Sequence, residues 1–148
     1  MSDELPEAVR AAAERPFSQE ERSQRIAALI RTATGRRWVG VYEVTRTEVV
    51  NLAWSGPTAP AHPRFPLERG LTAAAISTRE IVVSNDVARD PRYLTALAST
   101  GSELIVPIIV GDRVVGTLDV EDERTDAFGD DDRRLFERLA AEMHPLYD

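Results

Sequence analysis

Three features of this 148-residue chain predict an α+β fold: amphipathic helical periodicity at both ends, a period of two through the middle, and tight turns between successive strands. Strands joined by tight turns must run antiparallel. The expected plan is therefore one central antiparallel sheet. Terminal helices should cover one face, and short helices and loops should form a pocket on the other. The length suits one domain. Residues 1–17 read as an N-terminal extension with a short helix, and residues 18–148 as a single domain.

Pro6 to Arg15 is alanine-rich, with proline at a first-turn position, and predicts a short helix that Pro16-Phe17 interrupts. Ser18 stands three residues before Glu21, the spacing at which each side chain satisfies the other's free amide. Ile26, Leu29, Ile30 and Ala33 follow at helical spacing, and Gly35 ends the helix. Trp38 to Val44 then alternates as a strand, Arg46-Thr47 turns, and Glu48 to Trp54 returns as its hairpin partner.

Ser55 to Pro66 holds four prolines and predicts a long loop. Leu71 to Ser77, opened by Gly70, reads as a short helix, and Ile81-Val82-Val83 as a third strand. Asp90-Pro91 suits a helix start, with Leu94 to Ala98 as the helix. Leu104 to Val110 is almost wholly apolar, as in a central strand covered on both faces. Gly111-Asp112 turns into an alternating strand, Val114 to Glu121. The last helix runs from about Asp130 to His144, with Leu135, Phe136, Leu139, Ala140 and Met143 along one stripe. Pro107 removes a ladder donor and marks either a bulge that aims Glu103 or a tolerated irregularity.

Composition removes whole chemistries. The chain has no cysteine, and all 18 basic residues are arginine. Disulfides, thiolate nucleophiles, iron–sulfur clusters and thiolate zinc sites are excluded, as are Schiff bases and a phosphate-loop lysine. Two histidines, His62 and His144, do not make a multi-histidine metal centre. The net charge of −7 argues against nucleic acid or an anionic membrane as partner. No apolar run approaches the ~20 residues of a membrane span, and the start lacks an export signal, so a cytoplasmic location is expected. Asp119 to Asp132 carries eight acids, yet lacks the glycine-centred spacing of a calcium loop. No metal or cofactor is expected.

Six strings in order resemble the GAF domain family over about residues 20 to 145: Trp38-Val-Gly-Val-Tyr42; Arg69-Gly-Leu71; Ser84-Asn-Asp-Val87 with Asp90-Pro-Arg-Tyr93; Ser102-Glu-Leu-Ile-Val-Pro-Ile108; Val115-Gly-Thr-Leu-Asp-Val-Glu121; and Phe128-Gly-Asp-Asp-Asp132. The nearest branch it resembles is the free methionine-(R)-sulfoxide reductases. That branch's chemistry needs cysteines, whose positions here hold Thr72, His62 and Ala96. A threonine hydroxyl is un-ionised near neutral pH and far less nucleophilic than a thiolate, so thiol-based reduction is ruled out.

The alternation of the last strand puts Val115, Thr117, Asp119 and Glu121 on one face, with the two acids roughly 7 Å apart. In the look-alike branch, carboxylates matching Glu103, Asp119 and Glu121 line the substrate pocket. Here they suggest a small acidic site for a ligand ammonium group, a proton-transfer pair, or acids that are simply solvated or paired with arginines such as Arg69. Arg69 would alternatively face a ligand carboxylate. Trp38, Gly40 and Tyr42 share a strand face, joined by Trp54. They form either an aromatic wall with room left by Gly40, or ordinary core. His62, in the proline-rich loop, and Thr72 are candidate ligand contacts.

The expectation is a standalone small-molecule binding or sensory module for an amino acid or its oxidised form, with no assigned catalytic residue. The alternatives are an enzyme of altered chemistry using His62 or Asp119 and Glu121, and a purely structural dimerisation domain. A homodimer through the terminal helices suits each reading, and any signal would pass to a separate protein.

Overall fold

The computed structural model describes residues 2–94 and 99–148. Helices α1 (Glu4–Ala13) and α2 (Gln19–Thr34) lead into the hairpin β1 (Trp38–Val44) and β2 (Glu48–Ser55). A three-residue strand β3 (Arg64–Pro66), helix α3 (Gly70–Thr78) and strand β4 (Val82–Ser84) follow. The second hairpin is β5 (Ser102–Val110) and β6 (Arg113–Asp122), and α4 (Asp130–Ala141) closes the chain with a 3-10 turn at His144–Tyr147. The six strands form one antiparallel sheet in the order β3-β2-β1-β6-β5-β4.

Most boundaries differ from the sequence reading by one to three residues. The proline-rich stretch carries β3, because Val49 and its neighbours on β2 leave an edge that Phe65 can pair with. The last helix stops at Ala141 rather than running to His144, where Pro145 enters a tighter turn. At α2 only half of the expected capping box forms. Ser18 Oγ accepts from the Glu21 amide at 3.1 Å, while the Glu21 carboxylate turns toward Arg25 at 3.8 Å. Asp90 caps a turn instead of a helix: its carboxylate takes the Arg92 amide at 3.0 Å and grips the Arg92 guanidinium at 2.8 Å. The helix expected over 94–98 lies, Leu94 apart, outside the described residues.

Alternation along β1, β5 and β6 sorts the side chains into two layers. Val39, Val41, Leu104, Val106, Leu118 and Val120 face α1, α2 and α4, against Ile26, Ile30, Phe136, Leu139 and Met143. Trp38, Tyr42 and Ile105 face the other way, toward β3 and α3.

One irregularity in the β5–β6 hairpin sets the site. Val110 pairs with Arg113 and Ile109 with Val114, but Ile108 pairs with Gly116, so Val115 is an extra, bulged residue. Beyond the bulge the alternation reverses. Val114 joins Trp38 and Tyr42, and Val115 packs on the helix side, which corrects the expectation that Val115 shares a face with Thr117. Pro107 is not the bulge; it pairs with Thr117, beyond the stretch of β5 that β4 covers. With unbroken two-residue-turn pairing, Asp119 and Glu121 would turn into the helix layer, and Glu103 would face Val120. The bulge instead sets it opposite Glu121.

Candidate functional site: a buried carboxylate cluster beneath a narrow cleft

Glu103 on β5 lies directly across from Glu121 on β6, and Asp119 sits two residues before Glu121 on the same face. The three side chains bring oxygens within 4.8 Å of one another. They are only 4%, 5% and 0% exposed, respectively for Glu103, Asp119 and Glu121. Among the described residues none takes part in an ion pair, so the alternative of pairing to Arg69 does not form, and their burial sets the solvated alternative aside. Glu121 Oε1 accepts from Thr100 Oγ1 at 2.6 Å and from Tyr93 Oη at 3.1 Å. Glu121 Oε2 and Asp119 Oδ1 are buried with no hydrogen-bond partner among the described residues, as is Thr117 Oγ1.

Removing carboxylates from water and crowding them together both favour the neutral acid. Burial, then the charges of Asp119 and Glu121, hold the Glu103 carboxyl well above its ordinary range. Burial lifts Asp119 to about 7 against the opposing hydrogen bond with Glu103. Burial and the Asp119 charge lift Glu121 to about 8, opposed by its bonds to Thr100 and Tyr93. Burial and the same three acids push the Tyr42 phenol up, keeping it neutral. Three carboxylates are hard oxygen donors that could hold a divalent cation, or a ligand ammonium group.

Above the acids, Tyr42, His62, Phe65, Leu71, Thr72 and Leu94 enclose a cavity of about 20 Å³ that Glu103 and Asp119 floor. That volume takes about one water molecule. Tyr42 and Phe65 meet edge to face with centroids 6.0 Å apart. Thr72 is buried in the first turn of α3, and His62 stands exposed at the rim.

The sequence candidates therefore divide. Tyr42, His62, Thr72, Glu103 and Asp119 line the cleft, and Glu121 completes the acid cluster behind it. Trp38 is not a cleft wall. Its indole is fully buried, donates Nε1–H to the Thr58 carbonyl at 3.0 Å, and fills the space left by Gly40. Gly40 thus makes room for Trp38, not for a ligand. Trp54 is half-buried against the same cluster. Arg69 precedes α3 and lines a separate surface depression with Glu68, Pro91 and Arg92. Phe65, Leu71, Leu94, Tyr93 and Thr100 were not singled out. Tyr93 lay inside a quoted string, whereas nothing in the local pattern marks Thr100 as a partner for Glu121.

The GAF domain profile matches residues 11–144. The free methionine-R-sulfoxide reductase of Escherichia coli is 25% identical over 120 residues, covering 81% of this chain and 72% of that protein. The structure of the free methionine-R-sulfoxide reductase from Neisseria meningitidis in complex with its substrate superposes with a TM-score of 0.86 at 25% identity, over 99% of this chain and 92% of that one. A putative GAF sensor protein from Burkholderia vietnamiensis gives 0.84 at 27% identity, over 95% of this chain and 89% of that one. With the profile running from α1 through α4 and the whole sheet superposing, the chain belongs to the GAF domain family.

Proposed function

We propose that this chain is a ligand-binding GAF module, without thiol redox chemistry, whose buried acids receive the ammonium head of a free amino acid such as methionine or its sulfoxide. The observation that carries the reading is the cluster itself. Glu103, Asp119 and Glu121 are buried together, and no ion pair among the described residues supplies a cation. Buried carboxylates left without a counter-charge are costly, and an incoming ammonium group supplies one.

The resemblance to methionine sulfoxide reductases points to the ligand class. Thr72 and His62, which stand where that branch carries thiols, both line the cleft, so binding groups replace reactive ones there. Ala96, the third such position, lies outside the described residues. Since the cavity takes about one water, a whole amino acid requires the walls at Phe65 and Leu94 to part. Tyr42 and Phe65 would then flank an apolar side chain.

The test is a thermal-shift panel of methionine, both methionine sulfoxide epimers, other amino acids and cyclic nucleotides. A ligand at a hundred times its Kd adds about 2.7 kcal/mol. The expected result is stabilisation by the methionine compounds that is lost in Glu103→Gln and Asp119→Asn. No shift with any amino acid overturns the assignment. A second reading, proton transfer by Asp119, rests on its placement near neutrality. It requires turnover of a bound compound, abolished in Asp119→Asn.

A further inference from the structure

The acid cluster must balance its charge when no ligand is bound. Tyr42 on β1 is a buried phenol, and Tyr93 bonds to Glu121, while Thr72 on α3 is neutral. Asp90, whose charge also reaches Glu103, holds its own partner Arg92. His62 sits at the rim, exposed to water, and Arg69 lies in the separate depression beyond α3. Every described charge facing the cluster is therefore another acid, an arginine already paired, or an imidazole in solvent. Three carboxylates within 4.8 Å of one another in such a place cannot all be ionised.

We propose that the free protein holds protons on Glu103, Asp119 and Glu121 in place of a counter-ion, and that a cationic ligand enters by exchange. One proton leaves to solvent for each positive charge that arrives. No ligand bond is made or broken: a carboxyl O–H bond breaks, its proton passes to bulk water, and the charge of the site is unchanged. This rests on the reading that the ligand brings an ammonium group to these acids. It adds a selection rule. An amine that is acetylated brings no charge and cannot displace the proton, whatever the fit of the rest of the molecule.

Release of one proton makes Kd fall about tenfold per pH unit while the acids titrate, and level off above that range. Reciprocally, bound ligand lowers the proton affinity of the cluster by the same factor. Calorimetry with L-methionine at one pH, in phosphate and in Tris, reads the proton count from the difference in apparent enthalpy. The expected count is close to one. Equal enthalpies in the two buffers overturn the exchange. Loss of proton release in His62→Gln would assign the proton to the imidazole and overturn it equally.

The resting protons are tested without any ligand, by carboxyl-carbon NMR of the free protein labelled at Asp and Glu. Side-chain carboxyls of the cluster are expected to titrate above pH 6, and the aspartate signal among them to vanish in Asp119→Asn. Titration of all of them below pH 5 overturns the proposal even if methionine binds. If L-methionine gives no heat, the amino-acid reading fails alone, and exchange is read with methylammonium chloride against sodium chloride at equal ionic strength. A larger thermal shift at pH 8 than at pH 6 is then expected, and equal shifts overturn the proposal.

Discussion

Gly40→Ala is the sharpest test of how the pocket-side layer is built. Gly40 lies mid-strand on β1, opposite Trp54 on β2 and Asp119 on β6. A Cβ there would stand 2.5 Å from Trp38 Cζ3 and 2.9 Å from Tyr42 Cε1. The indole cannot slide away along its own plane. Gly56 closes its other end, where a Cβ would sit only 3.0 Å from Trp38 Cγ, and the Thr58 carbonyl holds Nε1 at 3.0 Å. One added methyl therefore forces an off-rotamer indole, costing about 1–3 kcal/mol. Giving up the indole hydrogen bond adds about 1 kcal/mol. A total of roughly 2–4 kcal/mol corresponds to a fall in Tm of roughly 5–15 °C for a chain of this size. Thermal and urea unfolding measure it, and combining Gly40→Ala with Trp38→Leu should cost less than the sum of the two single changes. A Gly40→Ala variant within 0.5 kcal/mol of the parent, or strict additivity in the double variant, would refute the reasoning.

Stability should fall as pH rises from about 4 to 8. Asp119 and Glu121 keep protons in the folded state that the unfolded chain has already lost. For Asp119, raised to about 7, the loss is on the order of 4 kcal/mol. Asp119→Asn should flatten that slope and raise Tm at pH 8, as unfolding across pH will show. Arg36→Ala should cost about 2–4 kcal/mol, because its guanidinium serves Asp122, Asp132 and the Ala127 carbonyl while stacking 4.4 Å above Phe128. The loss should persist in 0.5 M salt, and denaturant midpoints check it. Tyr147→Phe should cost about 1 kcal/mol, since the phenol donates to the Tyr42 carbonyl at 2.7 Å across the space left by Gly116. Its unfolding midpoint in urea tests this.

The layer plan was legible because Val39, Val41, Leu118 and Val120 alternate strictly with Gly40, Tyr42, Thr117 and Asp119, and a period of two carries its own geometry. The pairing of Asp119 with Glu121 followed from the same rule. Glu103 was harder. Its place opposite Glu121 depends on the bulge at Val115, and no residue of Arg113-Val-Val-Gly116 announces an extra position. The choice between wall and core for Trp38 was not legible for a related reason. Alternation says which face a side chain leaves from, not how far a ten-atom aromatic bends along the strand, and here the indole lies back over Gly40. Of the cleft walls, Phe65 sits in a three-residue strand and Leu94 outside any element, both too short of a repeat to read a period, and Thr100 meets Glu121 only through the tertiary path of the chain.

The burial of Trp38 gives the molecule an optical gauge of its own site. The chain has two tryptophans. Trp54 is partly exposed, whereas Trp38 is sealed from solvent and stands in register with Glu121. An indole excited state carries a larger dipole than its ground state, so its emission colour follows the local field. Each change of charge on the neighbouring carboxylates is thereby written into the blue component of the spectrum. In Trp54→Phe that component stands alone, and occupancy of the cleft can be followed by fluorescence in unlabelled protein, at the speed of a stopped-flow mixer.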